Sequence, residues 1–456
     1  MRPSFVVTLQ EDSNGNLLGQ LSKASPNFKG AIILRNLEID LGQFPPKFDT
    51  RERAADYGRK IRAALFKHPA IGQAIDAVYM AHPQEPARLM FEIMTPTAES
   101  LRWETLCDDN DKFAAIDFAC RVGRVASNSA AHDGALQTFS WPLRMVAFLS
   151  AAGISAKHEL KEILATVEAI SKKKLKIECT IYLGEQQLLD QLQDEIARKK
   201  RPGITALPMP DSSTKIEAIL TENPPHILHF FCHGISSAGV QHLEFATIND
   251  WDLGGATGSS RLAIDRMIRL EALTHCWLTV LNCCEGAGAA EQTYSMAYQI
   301  VVFGGCPTAV GMNEPIAASD ATAFSLAFYT KLFEILQAEL GGAARKPTKL
   351  DFTPAIVAVR TALHELYETQ PPEAFGRWSL PVLYVATKGL EVQRIQVDEE
   401  MQKEMQKRID LVAKYLHDMP ADTPDDLRDR VLAMLDQNPA VPKALRPDRF
   451  GSFDRQ

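Results

Sequence analysis

At 456 residues, with 46% hydrophobic and 23% charged residues, the chain can hold two or three domains with real cores and has an ordinary globular composition. A formal net charge of -8 argues against a nucleic-acid surface over the whole chain. No apolar h-region opens "MRPSFVVTLQEDSNG" and no apolar run reaches membrane-spanning length, so a cytoplasmic protein without membrane contact is expected.

In chain order, "PSFVVTLQ", "GAIILRNLEIDLG" and "ARLMFEIMTP" read as strands, with a helix across "TRERAADYGRKIRAALF". With "ESLRWETLCD" and the apolar stretch "KFAAIDFACRVGRVAS", they make an expected N-terminal α/β subdomain over residues 1–140, packed on the α/β core without a long linker between them. From 141 to 390 strands and helices alternate. "RMVAFLS", "KLKIECTIYL", "HILHFFCH", "CWLTVLNC", "CPTAVGM" and "SLPVLYVA" are the strands. "KHELKEILATVEAI", "EQQLLDQLQDEIARKK", "SRLAIDRMIRLEAL", "EQTYSMAYQIVV", "SDATAFSLAFYTKLFEILQAEL" and "TPAIVAVRTALHEL" are the helices. Strands without polar alternation, interleaved with helices, predict a mainly parallel sheet covered on both faces, an α/β/α sandwich. A helical tail fills 398–456: "DEEMQKEMQKRIDLVAKYLHDM" has helical spacing, and "DTPDDLRDRVLAMLDQ" offers Thr423 as cap and Pro424 as first helical residue. Two such helices cannot build a large core, so they pack on the body or on a partner.

Two strand ends carry the chemistry. "HILHFFCHG" stops on His233 and Gly234, and "WLTVLNCCEGAG" stops on Cys283 and Cys284. In a parallel α/β sheet, reactive groups gather where strands end and loops begin. Neighbouring strands would there bring together a thiol and an imidazole, and a glycine lets the backbone approach a substrate closely. Consecutive strand residues face opposite ways, so only one of the two adjacent cysteines can meet the histidine. The remaining cysteines, Cys232, Cys120, Cys179, Cys276 and Cys306 among them, sit in apolar runs. The eight together look like reduced intracellular thiols and not a disulfide framework. "NCCEGAGAA" imitates a dinucleotide loop but lacks the third small-residue spacing and lies deep in the fold. His226, His229, Cys232 and His233 fan to both faces of one strand and cannot converge on zinc. The basic runs "SKKKLK" and "ARKKRPG" read as solvated helix ends. "ITALPMPDSST" reads as an exposed loop, open to movement or cutting on activation.

"HFFCHG", "LTVLNCCEGAG", "YQIVVFGGCPTAVGMNEPIAASDATAFSLAFY", "AIVAVRTAL" and "WSLPVLYVA", in that order, resemble the CHAT domain, a group of caspase-like cysteine peptidases related to separases. The upstream "LRWETLC" resembles that family's Trp-Glu element, so the likeness spans about Arg102 to Ala386. The histidine and cysteine lie roughly 50 residues apart, as in caspases. The resemblance implies a caspase-like α/β/α sandwich and a cysteine endopeptidase with His233 and Cys284 as catalytic residues. It also implies an oxyanion held by the backbone N–H groups of Gly234 and Cys284, and it leaves Cys283 as core filler. No cofactor or metal is called for. The partners expected are a protein substrate and a regulatory protein or activating ligand, engaged through the N-terminal subdomain or the C-terminal helices. The setting implied is bacterial defence or cell death, with a catalytically silent scaffold as the alternative. Related Arg/Lys-specific enzymes often carry an acid two positions before the nucleophile, where this chain has Asn282. Asp320, Glu285 and Glu314 are the other substrate-pocket candidates.

Overall fold

A computed structural model of the protein describes all residues but 1–2, 25–34, 37–49, 83, 128–135, 173–174, 238, 284–293, 315–316, 342–345, 369–371, 395–398, 421, 437–445, 448 and 450–456. The first stretch runs β1 (Ser4–Glu11), β2 (Leu17–Lys23), β3 (Arg35–Asn36), α1 (Arg51–Phe66), α2 (Pro69–Tyr79), β4 (Arg88–Ile93), α3 (Pro96–Ser100), α4 (Ala114–Asp117) and β5 (Arg121–Ala126). Thr50 caps α1 by accepting from the Arg53 amide, and Pro69 opens α2, where a missing N–H costs nothing.

The central stretch runs β6 (Gln137–Phe139), β7 (Leu143–Leu149), α5 (Lys157–Ser171), β8 (Ile177–Leu183), α6 (Gln186–Ala197), β9 (Ile204–Pro208), α7 (Ser213–Glu222), β10 (Ile227–Ser237), β11 (Val240–Phe245), α8 (Ile248–Asp252), β12 (Ser260–Ala263), α9 (Ile264–Met267), α10 (Ala272–His275) and β13 (Leu278–Cys283). The last stretch runs α11 (Met296–Val302), β14 (Thr308–Met312), α12 (Ala318–Leu340), β15 (Thr348–Leu350), α13 (Thr353–Glu368), β16 (Pro381–Ala386), β17 (Leu390–Arg394), α14 (Glu399–His417) and α15 (Asp425–Ala433).

One sheet runs through the main body in the order β3-β2-β1-β4-β5-β16-β14-β13-β10-β7-β8-β9. It is mainly parallel. Only β1/β2, β2/β3 and β14/β16 pair antiparallel along this path, so the direction of the strands reverses between β14 and β16. Beyond the sheet, β10 continues into an antiparallel hairpin with β11, which pairs in turn with β12. All six residues of β13 and the first six of β10 are buried, as a sheet covered on both faces requires.

The sequence expectation differs from the structure in several places. Ser260–Ala263, read as helix, is strand β12. It pairs with β11, where Arg261 reaches Glu244 at 2.8 Å, and the helix reduces to the short α9 and α10. Local helical spacing there loses to a tertiary pairing partner. "ITALPMPDSST", expected as an exposed loop, instead supplies edge strand β9 alongside β8, with Ile204, Ala206 and Met209 buried, and then enters α7. The last helix begins at Asp425 with Pro424 as its cap residue, one position later than expected. The tail helices form a small cluster of their own around Ile409, Val412, Leu416 and Leu435. Arg428, buried beside it, donates to the carbonyls of Leu416, Pro420 and Arg449.

Candidate active site

The site is built at the carboxyl edge of three parallel strands. β10 lies between β7 and β13, with Phe231 opposite Leu149 and Cys232 opposite Cys283. His233 is therefore the first residue of β10 past the shared ladder with β13. It is partly buried, and its register partner across the hairpin is Glu244; Gly234 comes next, opposite Leu243. Cys284 and Glu285 come directly after the last residue of β13 and lie outside the described residues.

A carbonyl orients the imidazole. His233 Nε2 lies 2.8 Å from the Ala152 carbonyl oxygen. A carbonyl only accepts, so Nε2 carries the proton and Nδ1 is the basic nitrogen of the neutral ring. Ala152 belongs to the tight turn after β7, closed by a bridge between Ala151 and Ile154, in which Gly153 takes φ 73. Glycine pays no steric cost there. Glu185, just after β8, fastens the turn from outside, accepting from Ser155 Oγ at 2.8 Å and from the Ala156 amide at 2.7 Å. No carboxylate is needed to set the tautomer. Sequence reasoning missed Ala152 because a backbone acceptor leaves no side-chain signal.

Behind this edge a polar cluster is sealed between the sheet and the helices α5 and α12. Asn282 Nδ2 donates to Glu159 Oε1 at 3.1 Å, to the Ala321 carbonyl at 3.3 Å and to Ser325 Oγ at 3.3 Å. Ser325 also donates to Glu159 Oε1, and His229 Nε2 lies 3.0 Å from the same oxygen. The opposite nitrogen of His229 meets the Tyr329 hydroxyl at 2.7 Å. Nδ1 and the tyrosine hydroxyl share one hydrogen bond, while Nε2 faces the carboxylate without completing a second. Asn282, the expected pocket residue two before Cys284, is thus fully buried and occupied with the helices.

Asp320 and Glu314 also engage partners within the protein. Asp320 is buried at the start of α12, accepting from the Tyr367 hydroxyl and paired with Arg377 at 3.2 Å. Glu314, two residues past β14, pairs with Arg102. The structure brings Asn282 next to the first turn of α12 but gathers neither Asp320 nor Glu314 into one cluster with it.

The Trp-Glu element is a structural joint. Trp103 donates to the Ala98 carbonyl at 2.7 Å and stacks on Phe91 with centroids 4.7 Å apart. Glu104, with no exposure, takes two bonds of 3.0 Å from Arg124 and lies 3.9 Å from Arg360. Burial alone would push its pKa up, but the two guanidinium groups hold it below the ordinary carboxylate value.

The described cysteines are all buried, and burial pushes the thiols of Cys107, Cys120 and Cys179 up to about 12, far from any thiolate at neutral pH. Cys283 is 2% exposed. Among the described residues no three His, Cys, Asp or Glu side chains converge as metal ligands, and no helix is long and apolar enough to cross a membrane.

Comparison with known proteins bears on this architecture. No curated protein matches the chain. Among solved structures, it is similar to gingipain R (RGPB), an Arg specific cysteine proteinase, at 10% identity and a TM-score of 0.41, covering 70% of this chain and 67% of that one. The model of the CHAT domain matches residues 55–379, most of the chain, from α1 through the turn before β16. The chain therefore belongs to the CHAT domain family, and its mainly parallel sheet between helices is an α/β fold.

Proposed function

We propose that the protein is a cytoplasmic, regulated caspase-like cysteine endopeptidase of the kind used in bacterial defence or cell-death circuits. It cleaves a partner protein through a dyad of Cys284 and His233. The observation that carries the reading is the register of β10 and β13. Cys232 faces Cys283 across adjacent parallel strands, and His233 and Cys284 are the next residue of each. Consecutive Cα atoms are about 3.8 Å apart, so the covalent chain keeps Cys284 at the end of β13.

The chemistry rests on the tautomer. His233 Nδ1 takes the proton of the Cys284 thiol, and the thiolate attacks the carbonyl carbon of the scissile peptide bond. The tetrahedral oxyanion is met by the backbone N–H groups of Gly234 and Cys284. As the carbon–nitrogen bond breaks, the imidazolium returns its proton to the leaving amine, and a thioester remains. Water then attacks the thioester, giving one proton to His233, and the acid product leaves with the thiol restored. The Ala152 carbonyl holds the ring and accepts from Nε2–H through both steps.

The test is direct. The purified chain and its Cys284→Ala, His233→Ala and Cys283→Ala variants are incubated with the proteins encoded beside it, and fragments are read by mass spectrometry. Cleavage is expected to vanish in Cys284→Ala and to stay within about threefold of the parent in Cys283→Ala, since a buried thiol acts as small core filler. Cleavage that survives Cys284→Ala and disappears in Cys283→Ala would reverse the assignment. Absence of both cleavage and selective alkylation of Cys284 would leave a scaffold.

A further inference from the structure

Ser295, just downstream of residues 284–293, and Glu314, just past β14, are both tied to one stretch of the N-terminal half. β16 runs antiparallel to β14 but parallel to β5, which is parallel to β4. The chain leaving β4 at Ile93 thus starts at the sheet edge away from His233. From there it crosses the sheet, and along the way it makes three attachments to the half that carries the dyad.

At the start, the Met94 carbonyl accepts from the Tyr294 hydroxyl at 2.9 Å. Midway, Glu99 holds Ser295 twice, accepting from its amide at 3.1 Å and from its hydroxyl at 2.5 Å. Tyr384 adds a third bond to the same carboxylate at 2.7 Å. Ser295 also accepts from the Tyr298 amide and so caps α11. Tyr294 and Ser295 are the first described residues after 284–293, the downstream end of the nucleophile segment. At the far end, Arg102 pairs with Glu314, two residues past β14. β14 lies beside β13, with Val280 opposite Val310, so this ion pair sits at the carboxyl edge that carries His233. Arg102 is mostly buried, its own amide is held by the Tyr57 hydroxyl at 3.2 Å, and Trp103 and Glu104 lock the next two residues.

A surface loop needs none of this. A buried guanidinium and a carboxylate with three donors each cost free energy to desolvate, and Arg102 and two of the three Glu99 bonds are spent on Glu314 and Ser295 rather than on the core. We infer that Glu99 and Arg102 are positioning residues, through which the N-terminal half holds Ser295, downstream of Cys284, and Glu314, just past β14, in the arrangement on which the reactivity of Cys284 depends. The inference rests on the dyad reading and names its mode of control: an event on the N-terminal half that shifts residues 94–104 would loosen both connections together.

The experiment needs no natural substrate. The alkylation rate of Cys284 by iodoacetamide is followed by peptide mass spectrometry on the full chain, well below the melting temperature of each variant. Arg102→Glu and Glu314→Arg alone are expected to slow it about 10- to 100-fold, the scale of a misplaced reactive group. The exchanged pair Arg102→Glu/Glu314→Arg should recover to within about threefold, because the same ion pair is rebuilt with opposite polarity. Glu99→Gln should slow alkylation less than Arg102→Glu, since the amide keeps one acceptor oxygen. If Arg102→Glu does not fold, Glu314→Gln, on the more exposed partner, carries the test. Folded single variants with unchanged alkylation, or an exchanged pair no faster than its parents, would overturn the inference while a His233-dependent parent rate keeps the dyad. A parent whose Cys284 reacts no faster than glutathione, with His233→Ala without effect, would overturn both.

Discussion

Two ends of one strand show how position decides what a histidine can do. At the amino end of β10, His226 is 5% exposed, wedged edge-on between Phe139 and Trp277, and accepts from the Arg144 amide at 2.9 Å. Burial, with help from the Arg144 charge, lowers its pKa to about 3 and fixes the ring neutral. His229, in the middle, is locked between Tyr329 and Glu159. At the carboxyl end, His233 is partly exposed and has one nitrogen fixed by a carbonyl. The strand buries two imidazoles and carries only the third, His233, to its partly exposed end. At His226 the buried ring pays to take on charge.

That contrast can be broken at each ring. The largest effect is expected at His233: replacement by Ala should slow Cys284 alkylation and any cleavage about 10²- to 10⁴-fold, the usual loss on removing a general base, with little change in urea midpoint. Loss of folding without that rate effect would move His233 to the structural side.

His226 comes next, through pH. Its folded pKa lies below its ordinary value of 6.5, so below that pH the unfolded chain takes up a proton that the folded chain refuses. The stabilisation is complete above pH 6.5 and is lost as pH falls toward about 3. Each unit in that window should cost about 1.4 kcal/mol. In His226→Phe, urea unfolding between pH 6.5 and 4 should show a visibly flatter slope than the parent; an unchanged slope would refute the buried neutral ring.

The smallest effect belongs to His229→Gln, which removes the ring that shares a hydrogen bond with Tyr329 and lies 3.0 Å from buried Glu159. It should cost about 1–3 kcal/mol in urea unfolding and leave alkylation of Cys284 within about threefold. A large alkylation defect in a stable His229→Gln protein would make the sealed cluster part of the catalytic apparatus.

Much of the architecture is legible in the sequence for plain physical reasons. Uninterrupted apolar runs such as "WLTVLNC" can lie only in a sheet covered on both sides, and β13 is buried throughout. The ending of two such runs on His233 and Cys284 already points to one sheet edge. The features that sequence reasoning missed depend on partners distant along the chain. Ser260–Ala263 has helical spacing and becomes a strand because β11 offers it a ladder. Glu159, Glu99 and Arg102 look like ordinary charges on helices and turns, and nothing local marks the residues 123, 196 and 212 positions away that they bind.

The sequence by itself determined the alternating architecture, the family and the pair of strand ends, because periodicity, apolar runs and motif order are local properties of the chain. Only the tertiary structure decided that the two halves share a single sheet reversing between β14 and β16, that a backbone carbonyl at Ala152 orients His233, and that the Asn282 amide nitrogen and the Asp320 carboxylate find their partners inside the protein. The physical reason is that burial and hydrogen-bond satisfaction belong to pairs of groups, and the partner of each group is chosen by the fold as a whole.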